Sequence, residues 1–285
     1  MTESNCYSPW QAELDDVLRG VAGAFLFGAP FLYTMEVWWK GNFVSPPKMM
    51  AMVLLTYLVL VVLNRAAGFR QERERKWLHS LGDGAEALAL GLITAALSLA
   101  LLNLLRLDMG LEAAFGRIVM EGVPFALGVG IANTLLYAKA GDGEEHARQD
   151  RPLWHDTLVD AGATALGAVI IAFSIAPTDE ILLIAGGLSY PWLLGVMAAS
   201  LLLSYVIVFE ADLVSKKDRL AQRGLFQSPL SETIVSYLIS LLVAVVMLWL
   251  FQLLRFGDPL NQWLHYAVVL AFPATIGGAA GRLAV

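Results

Sequence analysis

The strongest constraint on this chain is the length of its uncharged apolar runs. A helix crossing about 30 Å of hydrocarbon needs roughly 20 mostly apolar residues. With no water inside the bilayer, every backbone polar group must be bonded within the segment. Eight stretches qualify: Gly20–Trp39, Met49–Leu63, Ala87–Leu105, Ala113–Ala138, Ala161–Leu188, Trp192–Phe209, Thr233–Leu254 and Trp263–Val285. The second is short; it can begin at Pro47 and let Arg65 reach the interface. The fifth is interrupted by Pro177-Thr178-Asp179-Glu180. The expected fold is therefore all-α, a polytopic transmembrane helical bundle. Composition agrees, with 58% apolar residues and 15% charged, where a soluble domain carries about 25% charged. That balance argues against a disordered chain, a nucleic-acid binder, a disulfide-stapled module and an ordinary soluble enzyme.

The charges that remain are unevenly placed. Residues 64–86, 139–160 and 210–232 hold 26 of the 44 Lys, Arg, Asp and Glu side chains. These segments follow the second, fourth and sixth spans, so they share one face with the N-terminus. That face carries 13 Lys and Arg against five opposite (Lys40, Lys48, Arg106, Arg117 and Arg255), with Arg282 left inside the last span. By the positive-inside rule both termini and the three long loops are expected in the cytoplasm. Trp38-Trp39, Trp192 and Trp263 fall where an outer aromatic belt is expected. The first 18 residues lack a basic segment followed by an apolar one, so no cleavable signal is expected and the first span directs insertion. The lone Cys6 forms no intrachain bridge and offers no cysteine cluster for a metal.

The second half slides over the first at an offset that grows from 144 to 149 residues. Thr34-Met35-Glu36 then falls on Thr178-Asp179-Glu180, and Ser45-Pro46-Pro47 on Ser189-Tyr190-Pro191. Glu86-Ala87-Leu88 meets Glu232-Thr233-Ile234, and Pro124 meets Pro273. The reading is eight spans as two parallel four-helix repeats: a cytoplasmic segment 1–19, a first repeat 20–138, a linker 139–160 and a second repeat 161–285. An even number of spans per repeat sends both halves into the bilayer in one direction, with the symmetry axis along the membrane normal.

Phe31-Leu32-Tyr33-Thr34-Met35-Glu36-Val37-Trp38-Trp39 and Ala176-Pro177-Thr178-Asp179-Glu180-Ile181 resemble a bacterial family of integral membrane proteins of unknown function. The resemblance covers nearly the whole length. It implies a multi-pass protein of the bacterial inner membrane and supplies no activity, substrate or assigned residue.

Ionisable groups inside spans cost about 2.5–3.5 kcal/mol at the bilayer centre and are functional candidates by default. Arg117 lies four residues before Glu121, so the two are expected to satisfy each other near the outer leaflet. Glu36 and Glu180, with Asp179 beside the latter, are the stronger candidates for ion or proton binding. Thr34 and Thr178 add hydroxyl oxygens, and Pro30, Pro177, Pro124 and Pro273 are candidate helix breaks that strand backbone carbonyls. Carboxylate, hydroxyl and carbonyl oxygens suit Na⁺, Ca²⁺ or a proton relay and not a soft metal. The competing reading puts Glu36 and Glu180 at the outer headgroups, where a glutamate means little. Glu86 and Glu232 are read as complements to helix N-termini. Asn103, Asn133 and Arg282 are read as hydrogen-bonding neighbouring helices.

Small residues recur every four positions in Gly20/Ala24/Gly28, Gly122/Ala126/Gly130, Ala168/Ala172/Ala176 and Gly277/Gly281, a pattern that lets helices approach closely in lipid. Spans one, four, five and eight are expected inside and two, three, six and seven outside. His79, His146, His155 and His265 form no catalytic or metal-binding spacing, so no enzyme and no cofactor is expected. The basic stretches 70–76 and 216–219 suit solvated loops or contact with anionic headgroups. The function expected is a cation- or proton-linked transporter or channel whose partners are the bilayer and a small cation or proton, with self-association left open. The alternative is a scaffold or sensor acting through its charged loops, and a membrane-embedded lipid enzyme is a third reading.

Overall fold

A computed structural model describes residues 9–68, 77–132, 153–211 and 228–283, and among them every regular element is helical. Most of the charged loop sequence lies outside the described residues, including the stretches 70–76, 139–152 and 216–219, together with Cys6, Asn133 and His146. The first five helices are α1 (Pro9–Leu32), α2 (Met35–Lys40, followed by a 3₁₀ turn Gly41–Phe43), α3 (Pro46–Gly68), α4 (Trp77–Leu101) and α5 (Leu111–Ile131). The next five are α6 (Leu153–Ile175), α7 (Glu180–Gly186), α8 (Tyr190–Tyr205, continued by a π turn Val206–Glu210), α9 (Pro229–Leu250) and α10 (Leu260–Arg282).

Six of these helices are long and apolar enough to cross a membrane: α3, α4, α5, α8 with its π turn, α9 and α10. The other two expected spans are bent pairs. α1 and α2 meet at 85°, α6 and α7 at 91°, so the number of spans is six, or up to eight if each pair counts as one. The expected first span, Gly20–Trp39, is thus a helix that turns a corner at Tyr33-Thr34. Of the four prolines expected to break helices, only Pro177 lies in a break. Pro30, Pro124 and Pro273 sit inside α1, α5 and α10. A proline removes one i→i−4 bond, and in a packed interior the turns on either side hold the helix through it.

α4 and α9 stop several residues before the apolar sequence does, and for the same reason. Asn103 (φ 56°) and Gln252 (φ 62°) adopt the left-handed conformation, which reverses the chain. The amides of Leu104 and Leu105 then turn back onto the Leu99 carbonyl at 2.8 and 3.3 Å. Those of Leu253 and Leu254 reach Leu248 at 2.9 and 3.2 Å. Carbonyls that would otherwise face hydrocarbon unbonded are satisfied this way.

Glycines mark close helix crossings, Gly277 from an expected small-residue stripe and Gly23, Gly128 and Gly167 one or two positions beside the others. At the α1–α5 crossing a Cβ placed on Gly23 would come within 2.5 Å of the Gly128 carbonyl oxygen. At the α6–α10 crossing one placed on Gly277 would meet the Gly167 oxygen at 2.5 Å. α10 is the central helix, 72% of its apolar stretch buried against 22% for α3. It touches α1, α6, α7, α8 and α9. α8 departs from expectation: it is as deeply buried as α5, because its π turn packs on α1 and its helical part on α10. Trp38 departs too, being 1% exposed rather than part of an outer belt.

Candidate functional site at the two helix breaks

The two corners come together. The amide of Met35, in the first turn of α2, donates to the Glu180 carboxylate on α7 at 3.2 Å across 145 residues of sequence. Thr34 precedes α2 in the capping position without a side-chain cap bond of its own. A carboxylate from the other half of the chain therefore supplies the acceptor that a helix N-terminus requires.

Each break is braced by side chains. Trp38 Nε1 donates to the Leu32 carbonyl at 3.2 Å, closing the last turn of α1. In the second break the Thr178 hydroxyl donates to the Ile175 carbonyl at 2.7 Å. Tyr33, between α1 and α2, is buried and its hydroxyl donates to the Val269 carbonyl at 2.6 Å. That acceptor is available because Pro273, four residues later, has no amide to offer it. Val269 is the tenth residue of α10, about 14 Å along the helix at 1.5 Å per residue. The first corner therefore docks on the middle of a spanning helix.

Glu180 is half-buried at this junction, Thr34 and Thr178 are likewise half-buried, and Glu36 and Asp179 are exposed. The structure thus brings Glu180 to the Met35 amide at the start of α2, while the Glu36 side chain is exposed and no bond joins the two glutamates among the described contacts. Asn103, read as bonding a neighbouring helix, donates from Nδ2 to the Gly187 carbonyl at 2.7 Å, tying the end of α4 to the end of α7. No group of three or more His, Cys, Asp or Glu side chains able to hold a metal is found among the described residues.

The expected Arg117–Glu121 ion pair does not form. Arg117 donates instead to Asn42 Oδ1 at 2.8 Å and to the Leu104 carbonyl at 2.5 Å. Its guanidinium stands 5.1 Å from the Trp38 ring centroid and 6.0 Å from that of Trp39. Neutral acceptors and two aromatic faces satisfy it, a cation–π arrangement favoured away from bulk water. Glu121 is wholly buried, with neither carboxylate oxygen bonded. It is the eleventh of the 21 residues of α5, at the midpoint of the helix and not in its outer turns.

Arg282 is also wholly buried. Its Nη1 donates to the Ser236 hydroxyl at 3.1 Å, and its Nη2 pairs with the Glu232 carboxylate on α9. The reading of Arg282 as a helix-to-helix bond holds, and Glu232 is a carboxylate that pairs with it.

Sequence reading missed Tyr33. The signal was available in Pro273, which marks Val269 as an acceptor in need of a donor, but nothing local says which side chain supplies it.

Helices of spanning length, broken pairs, stripes of glycine at the crossings and buried polar bonds between helices define a polytopic helical membrane protein. Residues 16–285 match the family described as "Putative integral membrane protein (DUF2391)", and the chain belongs to that family. No curated protein and no solved structure matches it.

Proposed function

We propose that the protein is a cation- or proton-linked transporter or channel of the bacterial inner membrane, built from two parallel four-span repeats with both termini cytoplasmic. Glu180 and Glu36 are its ion- or proton-binding pair, assisted by Asp179 and by the Thr34 and Thr178 hydroxyls. The observation that carries this reading is the bond from the Met35 amide to the Glu180 carboxylate, which joins two helix breaks from opposite halves of the chain. Irregular backbone at membrane depth is tolerated where it is buried in protein or lines a water-filled cavity. In transporters built from repeats, such breaks lie at the repeat interface. Against the headgroup reading stands Tyr33, which anchors the first break to the tenth residue of α10.

The repeat is supported by the element order, in which a long helix, a short one and three long ones occur twice. Starts at Pro9, Pro46 and Leu111 correspond to Leu153, Tyr190 and Leu260, offsets of 144, 144 and 149. The glycine contacts Gly23–Gly128 and Gly167–Gly277 and the left-handed Asn103 and Gln252 keep the same two offsets. In this register Glu86 and Glu232 are three residues out of step, since α4 and α9 end 149 residues apart and the glutamates lie 146 apart. The proposed organisation keeps the segments 1–19, 20–138, 139–160 and 161–285.

Ion flux into liposomes tests the function. Wild type is expected to carry a pH-sensitive cation or proton current that falls in Glu180→Gln and Glu36→Gln and is lost in the double variant. Equal, pH-insensitive flux in all four would sink the proposal. Labelling of single cysteines from the outside, in a Cys6→Ser background, tests the orientation. Sites in the 64–86 and 210–232 segments should be protected in intact cells.

A further inference from the structure

We propose that Glu121 is a proton-binding site in the middle of the membrane, held as a neutral carboxylic acid, with Arg117 one turn away as the cation able to pair with it when the proton leaves. The site lies apart from the helix breaks and does not depend on the transport reading. Glu121 occupies the midpoint of α5 with no exposed surface and neither oxygen bonded. An ionised carboxylate there would be shut off from bulk solvent with no protein donor to stabilise it, which a buried charge requires. An added proton removes the charge and needs no rearrangement of the helices.

The surroundings favour a proton over a metal ion. Helices α1, α2, α3 and α4 and the 3₁₀ turn pack around α5. The charged side chains described on them are Arg19 and the carboxylates of the early turns of α1, Glu36 and Lys40 on α2, Lys48 on α3, and Asp83 and Glu86 on α4. None of these bonds Glu121. Na⁺ or Ca²⁺ calls for several oxygen ligands in one place, and Glu121 belongs to no group of three or more His, Cys, Asp or Glu side chains able to hold a metal among the described residues.

Packing alone does not ask for a carboxylate at this position. Leu270, the eleventh residue of α10, is equally buried three residues before Pro273, as Glu121 is three before Pro124. An aliphatic side chain fills that place in one helix, and a carboxylic acid fills it in the other. Arg117 completes the picture. Four residues away on the same face, it is satisfied by neutral acceptors and two tryptophans rather than by Glu121, as expected of an arginine whose neighbouring acid carries no charge.

Infrared spectroscopy of the full-length protein in phosphatidylcholine liposomes at neutral pH reads the protonation state. The expected result is the carbonyl-stretch band of an undissociated acid in wild type and its loss in Glu121→Gln. Identical spectra in that region would overturn the proposal. Should Glu121→Gln fail to fold, absence of that band in wild type overturns the proposal, and its assignment to Glu121 rests on chemical labelling. Dicyclohexylcarbodiimide, an apolar reagent that adds to protonated carboxyl groups, is expected to modify the peptide carrying Glu121, read by mass spectrometry, and an unmodified peptide at full reagent excess overturns the assignment. Neither measurement involves flux, so an inactive transporter and an ionised Glu121 are told apart.

Discussion

Helices α5 and α10 are built alike and treat their buried ionisable groups in opposite ways. Each lies against a long partner through paired glycines, Gly128 on Gly23 and Gly277 on Gly167, and each carries a proline at its fourteenth residue. α10 buries a cation, Arg282, and supplies it with Glu232 and Ser236. α5 buries an acid, Glu121, and supplies it with nothing. The difference teaches how to sort intramembrane charges. A buried charge with its partner in place is part of the scaffold, whereas an ionisable group left without a bonded partner is where to test for a change of protonation state.

The largest effect should come from breaking the completed pair. Arg282→Met leaves Glu232 and Ser236 facing a thioether, and losing one partner of a buried ion pair costs about 3–5 kcal/mol. A large drop in the thermal midpoint in detergent is expected, and an unchanged midpoint would show that the pair is dispensable. Next are the glycine contacts. Gly128→Ala and Gly277→Ala each push a methyl against a facing carbonyl, overpacking worth about 1–3 kcal/mol. The two variants should lose stability by similar amounts if the crossings are equivalent, and unequal losses would separate the halves. Tyr33→Phe removes the donor to Val269, leaving a buried carbonyl unsatisfied at about 1–3 kcal/mol. It should also loosen the first break, read as faster amide exchange around Thr34–Val37.

Glu121→Gln is the sharpest test of the comparison. Replacing a neutral acid by an amide of the same shape should leave the thermal midpoint nearly unchanged, while replacing a charged one would shift it strongly. The smallest effect belongs to Asp108, which lies exposed beyond α4. The hydrogen bond from Arg106 holds its carboxyl below the usual carboxylate range. Such a group stabilises the fold above its unfolded value and loses that contribution as pH falls through the folded one. Exposed pairs of this kind contribute little, so Asp108→Asn should show no measurable change in midpoint at neutral pH.

Much of the architecture was legible because bilayer thickness imposes a length on apolar sequence. The expected runs from Met49, Ala87, Ala113, Trp192, Thr233 and Trp263 correspond to spanning helices in the structure. Helix ends were less legible. The apolar sequence continues to Leu105 and Leu254, yet the helices stop at Leu101 and Leu250, where left-handed residues turn the chain and its own amides replace the lost helical partners. Glu36 and Glu180 were singled out on motif spacing; the structure adds that Glu180 reaches the start of α2, and it leaves Glu36 exposed. Glu121 was misjudged because helical spacing permits an i,i+4 pair with Arg117 without requiring it. Asn42, Leu104 and two tryptophans, distant in sequence, outcompete the carboxylate.

The sequence by itself determined that this chain is a helical membrane protein, roughly where its spans lie and which few ionisable residues need explaining. Those properties follow from the free energy of moving residues from water to hydrocarbon, which is summed locally along the chain. Only the tertiary structure decided that α1 and α6 turn corners, that Tyr33 meets the carbonyl freed by Pro273, that Arg282 is paired and that Glu121 is not. Each of those depends on which donors and acceptors from distant segments arrive within about 3 Å of one another. In a solvent without hydrogen bonds of its own, that arrival settles whether a polar group is ballast or function.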